Sequence, residues 1–100
     1  MVNPTVSVII NTHNRAYHLK RLLDCLSRQT YDNFEVIVVN GPSTDHTEQI
    51  LTQYASAIRV EHCPEVNLCM SRNIGVRAAA GEILAFIDDD AVPGNQYWLE

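Results

Sequence analysis

Positive charge is scarce in this chain. Lysine occurs once, at Lys20, and lysine and arginine together number seven against 12 acidic residues, a net charge of -5. The seven cations are scattered and form no patch, which argues against a nucleic-acid-binding surface. Cysteine is sparse as well. Cys25, Cys63 and Cys69 are odd in number and lack a CxxC pair, so a thiolate metal site, a disulfide framework or a cysteine nucleophile is not indicated. They read as reduced thiols in a cytosolic setting, with Cys25 packed inside a helix. No apolar run approaches the roughly 20 residues that a bilayer span needs, and the first ten residues lack a basic segment followed by a signal core. Repeats, low-complexity tracts and flexible linkers are missing too. The chain therefore reads as soluble and cytoplasmic, and any membrane association would come through sequence outside it. A 46% hydrophobic content over 100 residues suits one small domain or part of a larger one.

Strand and helix signals alternate. Thr5 to Ile10 is β-rich and leads into the polar run Asn11-Thr12-His13-Asn14. Leu19, Leu22, Leu23 and Leu26 then share one face of a helix expected from Ala16 to Gln29. After a turn at Thr30 to Asn33, Phe34 to Val39 reads as a second strand. The cluster Asn40 to Thr44 breaks it, and Asp45 followed by Glu48 matches a capping pattern for a second helix with Ile50, Leu51 and Tyr54 inward. Ile58 to Glu61 is a short third strand. A loop through Pro64 precedes a third helix, expected from Met70 to Ala79 and closed by Gly81. Ile83 to Ile87 is the fourth strand. Nearly continuous apolar strands between amphipathic helices predict a parallel sheet covered on both faces. Ligands of such sheets bind beyond the carboxyl ends of the strands. That rule gathers Asn11 to Arg15, Asn40 to Asp45, the region after Glu61 and Asp88 to Asp90 on one rim.

The fourth strand runs straight into Asp88, Asp89 and Asp90. Like charges that close repel and raise one another's pKa, so a cation among them is the economical explanation; a solvated acidic turn is the other reading. In an extended segment Asp88 and Asp90 point to one side and Asp89 to the other, which leaves two carboxylates for one hard ion and a third for another task. Oxygen-only ligands favour magnesium or manganese over zinc. An acidic chain can still hold a phosphorylated ligand when a metal or a helix terminus supplies the positive field.

Four segments in order carry a family resemblance: Thr12-His13-Asn14-Arg15, Asn40-Gly41-Pro42-Ser43-Thr44-Asp45, Ser71-Arg72-Asn73-Ile74-Gly75, and Asp88-Asp89-Asp90. From Val6 to Pro93 the chain resembles the amino-terminal, nucleotide-binding half of family 2 glycosyltransferases. The resemblance implies an α/β, Rossmann-like GT-A parallel sheet with helices on both faces. It also implies that residues 1–100 are the amino-terminal part of one such domain, cut after the fourth strand, with the acceptor half missing.

Further expectations follow from the resemblance. A nucleotide-diphosphate sugar would be the donor, held by Thr12, Asn14, Arg15, Asn40, Arg72, Asn73, Asp88 and Asp89. A divalent cation, Mg2+ or Mn2+, would be held by Asp88 and Asp90. Transfer to an acceptor hydroxyl would invert the anomeric configuration. Asn40 stands where an aspartate usually meets the base; an amide accepts like a carboxylate but also donates and carries no charge, so uracil is the first expectation with other bases open. Asn11 replaces a more usual proline, a change expected to alter loop stiffness rather than chemistry. Asp45 reads as a helix cap. Arg72 either reaches phosphate at a helix start or bridges to the aspartates. The family's general base is an acidic residue downstream of the aspartates, and nothing here matches it, Glu100 included; the catalytic residue and the acceptor stay unassigned. His13 reads as a polar loop residue, His46 and His62 as surface residues, and Trp98 as a core or interface aromatic. Two other functions share parts of this pattern. A non-catalytic nucleotide- or metal-binding module would show the same residues without transfer. A flavodoxin-like receiver domain needs acidic residues after its first strand and a lysine after a later one, and Lys20 lies in a helix.

Overall fold

Val6, Val8 and Ile10 alternate with Ser7, Ile9 and Asn11 along the first strand, and both sets are covered. The even positions join a core with Leu19, Leu22, Leu23, Leu26 and Leu51. Ile9 instead meets the opposite layer, where its side chain lies against Gly75. Strand side chains alternate between faces, so a strand buried on both reads as a continuous apolar run. The computed structural model describes residues 5–28 and 33–88. Its elements are β1 (Val6–Thr12), α1 (Ala16–Leu26), β2 (Phe34–Asn40), α2 (Thr47–Gln53), β3 (Arg59–His62), α3 (Leu68–Ala78) and β4 (Ile83–Asp88).

The four strands lie in the order β3-β2-β1-β4, and every pairing is parallel. α1 and α2 cover one face. On the other, Met70, Ile74 and Ala78 of α3 pack on Ile37, Val39 and Cys63. This is the Rossmann-like parallel sheet with helices on both faces expected from the sequence. The chain steps outward from β1 to β3 and then crosses back to β4, so the strand order reverses beside β1. Such a switch point leaves a crevice at the carboxyl ends of the strands.

Several boundaries differ from expectation. β1 continues through Thr12 and β2 through Asn40, because Thr12 pairs with Asn40 and Asn11 with Asp88; polar residues at the ends of strands hide ladder hydrogen bonds. β3 sits one residue later than expected. α1 ends at Leu26, where the Ser27 amide bonds to the Leu23 carbonyl; Gln29 and the turn residues Thr30, Tyr31 and Asp32 lie outside the described residues. α3 starts two residues early because the Asn67 side chain caps it, accepting from the Met70 amide at 3.0 Å. Gly81 does not close α3, which ends at Ala78. It is needed for close approach instead: its amide donates to Ser7 Oγ at 2.8 Å, and a Cβ there would stand 2.7 Å from the Ser7 nitrogen.

The same contact carries a charge. Glu35 on β2 accepts from Ser7 Oγ at 2.6 Å and from the Ala80 amide at 2.6 Å. Burial pushes the Glu35 carboxyl up, but these hydrogen bonds, that of the Gly81 amide and the charge of Arg59 outweigh it and hold the carboxyl below its usual range. A depressed folded-state pKa contributes stability that is fully present above the unfolded value near about 4.3 and is lost as pH falls through the lower folded value. Glu35→Gln is therefore expected to cost about 1–2 kcal/mol at pH 7 and to flatten the acid limb of the stability curve. Urea unfolding of both proteins at pH 7 and pH 3 checks this, and an unchanged difference between them at the two pH values would refute it.

Candidate functional site

At the carboxyl rim of the sheet a cleft of about 500 Å³ opens. One wall is the end of β1 and its loop, Asn11, Thr12, His13 and Arg15. Gly41 follows β2, and the far wall is the β3–α3 connection through Cys63, Glu65 and Val66 to the first turn of α3. Cys63 is buried, and its thiol donates to the Glu65 carbonyl at 3.2 Å. Ser71, one turn into α3, donates to Asn11 Oδ1 at 2.5 Å and joins the two walls.

The loops behind the cleft are tied to each other. Asn14 adopts φ 54°, the left-handed region that asparagine tolerates. This turns its side chain toward the β2–α2 loop, where Oδ1 accepts from the Thr44 amide at 2.6 Å and the Asp45 amide at 3.3 Å. The Asn14 amide donates to Ser43 Oγ at 2.9 Å. Asp45 serves two helix starts. Its Oδ2 accepts from the Ala16 amide of α1 at 3.2 Å, and its Oδ1 accepts from the Thr47 amide of α2 at 2.9 Å and from the Thr47 hydroxyl. Burial pushes the Asp45 carboxyl up, but those donors prevail and hold it below the usual carboxylate range. Asp45 is not the N-cap expected for α2, which is His46; it stands one residue earlier, and its carboxylate still accepts from amides at the starts of both helices.

Glu48 does not reach back to Asp45. Its Oε1 accepts from Asn40 Nδ2 at 2.7 Å and lies 3.1 Å from His62 Nε2. Asn40 is fully buried, and its own Oδ1 accepts from Ser43 Oγ at 2.7 Å. Both ends of this amide are therefore engaged by the protein.

The residues expected to bind a donor fall into three groups. Thr12 and Arg15 line the cleft. Asn14 and Asn40 stand behind it, within the loop network. Arg72 and Asn73 are exposed on α3, and the Arg72 guanidinium lies 6.0 Å from the Phe86 ring centroid, a cation–π contact with β4. The Asp88 backbone ends β4 opposite Asn11. Its side chain, with Asp89 and Asp90, lies outside the described residues, as do Trp98 and Glu100. His13, expected in the loop, also lines the cleft, with Nε2 3.5 Å from Asn14 Nδ2. The sequence places the region after Glu61 on the rim but assigns no role in the cleft to Cys63, Val66, Asn67 or Ser71. The one local signal was an asparagine three residues before Met70, the spacing of an N-cap. Among the described residues, no three His, Cys, Asp or Glu side chains cluster to hold a metal, and no helix is long and apolar enough to cross a membrane.

Comparison with known proteins agrees with this geometry. The sequence profile described as Glycosyl transferase family 2 matches residues 7–100. Validoxylamine A glucosyltransferase of Streptomyces hygroscopicus subsp. jinggangensis is 38% identical over 100 residues, covering 94% of this chain. The chain spans only 24% of that relative's length. The crystal structure of S. aureus TarS in complex with UDP superposes with a TM-score of 0.85 at 32% identity, over 95% of this chain and 30% of that one. The mannosyltransferase PcManGT from Pyrobaculum calidifontis, in complex with GDP-Man and Mn2+, gives 0.81 at 29% identity over 96% of this chain and 30% of that one. Profile, sequence identity and fold converge: the chain belongs to glycosyl transferase family 2.

Proposed function

We propose that this chain is the donor-binding half of a metal-dependent, inverting glycosyltransferase, which passes a sugar from a nucleotide-diphosphate sugar to an acceptor hydroxyl. The cleft at the carboxyl rim is the observation that carries this reading. It lies at the topological switch point where open α/β sheets take ligands. Arg15 and the amino-terminal turn of α3 lie along its walls, and both favour an anionic ligand such as a diphosphate. Similarity to a UDP-bound and a GDP-mannose-bound protein supports a nucleoside diphosphate in this cleft.

In this reading Thr12 and Arg15 touch the donor directly. Asn14 and Asn40 hold the β1–α1 and β2–α2 loops that shape the cleft, and Arg72, against Phe86 of β4, and Asn73 are further donor contacts of this reading. Asp88, whose backbone ends β4 opposite Asn11, and Asp90 offer the oxygen-only chemistry that suits a hard divalent ion such as Mg2+ or Mn2+, and Asp89 is assigned to the donor. When bound, such an ion offsets the charge that develops on the leaving diphosphate. In the transfer itself the acceptor oxygen bonds to the anomeric carbon as the carbon–oxygen bond to the diphosphate breaks, and the acceptor proton passes to a base.

Val66 tests the placement. It lines the cleft yet is 71% exposed, so a substitution leaves the core intact. Val66→Glu sets a negative charge against the bound diphosphate and is expected to weaken UDP binding at least tenfold, by calorimetric titration, with an unchanged melting temperature. Undiminished UDP affinity in this variant would move the nucleotide site elsewhere.

A further inference from the structure

Asn11 and Ser71 form a polar pair inside the cleft that the binding roles above do not use. Ser71 is buried at 8% exposure, and its hydroxyl donates to Asn11 Oδ1 at 2.5 Å. Asn11, one residue before the end of β1, is half-buried and lines the cleft together with Ser71. With its oxygen engaged by Ser71, the carboxamide has one fixed orientation. Its Nδ2 carries two N–H donors, and among the described residues no group accepts from them. Nδ2 is therefore the donor that this pair can offer to a ligand in the cleft.

Asn40 contrasts with it. Its amide donates to Glu48 and accepts from Ser43, it is fully buried, and it does not line the cleft. The residue standing where the base would be read is thus occupied within the protein, while Asn11 offers uncommitted donors to the cleft.

We propose that Asn11, oriented by Ser71, determines nucleobase specificity by donating from Nδ2 to a keto oxygen of the base. A fixed donor favours bases that present a carbonyl where the competitor presents an amino group. Uracil O4 against cytosine N4, and guanine O6 against adenine N6, are the two such contrasts. Discrimination of this kind comes from the mismatched base leaving two donors facing each other with no acceptor between. Asn11 touches the ligand, and Ser71 acts through it as a positioning residue. The inference rests on the cleft being the nucleotide site, as proposed above.

UDP and CDP test it, because the two bases have the same ring shape and differ at this one edge. The readout is the ratio of their dissociation constants by calorimetric titration in the presence of Mn2+. The protein is expected to favour UDP by about tenfold or more. In Asn11→Ala the ratio should fall toward one. In Asn11→Asp, where the side chain only accepts, it should reverse in favour of CDP. Ser71→Ala releases the amide to flip and should lower the ratio while UDP still binds, a change that a merely structural role for Ser71 would not produce. Asn40→Ala should weaken both ligands alike, leaving the ratio in place. Equal affinities in the unaltered protein, or a ratio that survives both Asn11 substitutions, would overturn the proposal. Failure of the unaltered protein to bind either nucleotide would instead overturn the assignment of the cleft, and the proposal with it.

Discussion

Gly75→Val is expected to destabilise the protein by about 3 kcal/mol, at the upper end of what overpacking costs. A Cβ at this position would stand 2.5 Å from Ile9 Cγ2 and 3.4 Å from Val39 Cγ2. Ile9 is fully buried in a central strand, so it has no space to move into. α3 must then lift from the sheet or Ile9 must leave its rotamer, and either forfeits packing. The displacement would also be felt at the cleft, since Ser71 sits one turn from Gly75 and holds Asn11. Denaturant unfolding measures the loss. Combining Gly75→Val with Ile9→Ala should cost less than the sum of the two single losses, because the smaller side chain opens space for the new one; purely additive losses would show that the two positions are not in steric contact.

The second large effect concerns the aspartates. Asp90→Ala is expected to abolish the manganese-dependent gain in UDP affinity, with a loss of at least about a hundredfold in metal affinity, since even outer-shell partners of a metal contribute 10–100-fold. UDP affinity without metal should change little. Asp89→Asn supplies the contrast. The sequence expectation assigns Asp89 to the donor and the metal to Asp88 and Asp90, so the manganese response should be kept. Titration of UDP with and without manganese reads both variants, and a full manganese response in Asp90→Ala would remove that residue from the metal site.

The apolar periodicities made the architecture readable. Four leucines at helical spacing marked α1, and unbroken aliphatic runs marked β1 and β2 as strands buried on both faces. What escaped were features whose cause lies across the fold. Thr12 and Asn40 look like loop residues until β1 and β2 are paired and each is seen to extend the ladder of the other. Glu48 carries a capping signature, yet the buried amide of Asn40 claims its carboxylate. Gly81 resembles a helix terminator, and only the approach to Ser7, distant in sequence, explains it. The site divides in the same way. Thr12 and Arg15 were legible from the order of the segments. The Asn11–Ser71 contact joins residues far apart in the chain, and no local pattern announces it. Asn11 was read as a matter of loop stiffness, and the structure gives its side chain a hydrogen-bonding partner in the cleft.

The strand order has a consequence for how the chain is made. β1 is synthesised before the strands that pair with it, and one of its two edges waits for β4, with Val6 opposite Ile83. β2 can cover the other edge early. At about 5–20 residues per second, the β4 edge stays open for on the order of several seconds while the intervening chain emerges. During that interval Val6 to Ile10 presents a ladder of unpaired amides on an aliphatic strand, the form of surface most prone to join a neighbouring chain. Pairing of β1 with β4 therefore lags its pairing with β2, and this edge of β1 is a point of risk until β4 arrives.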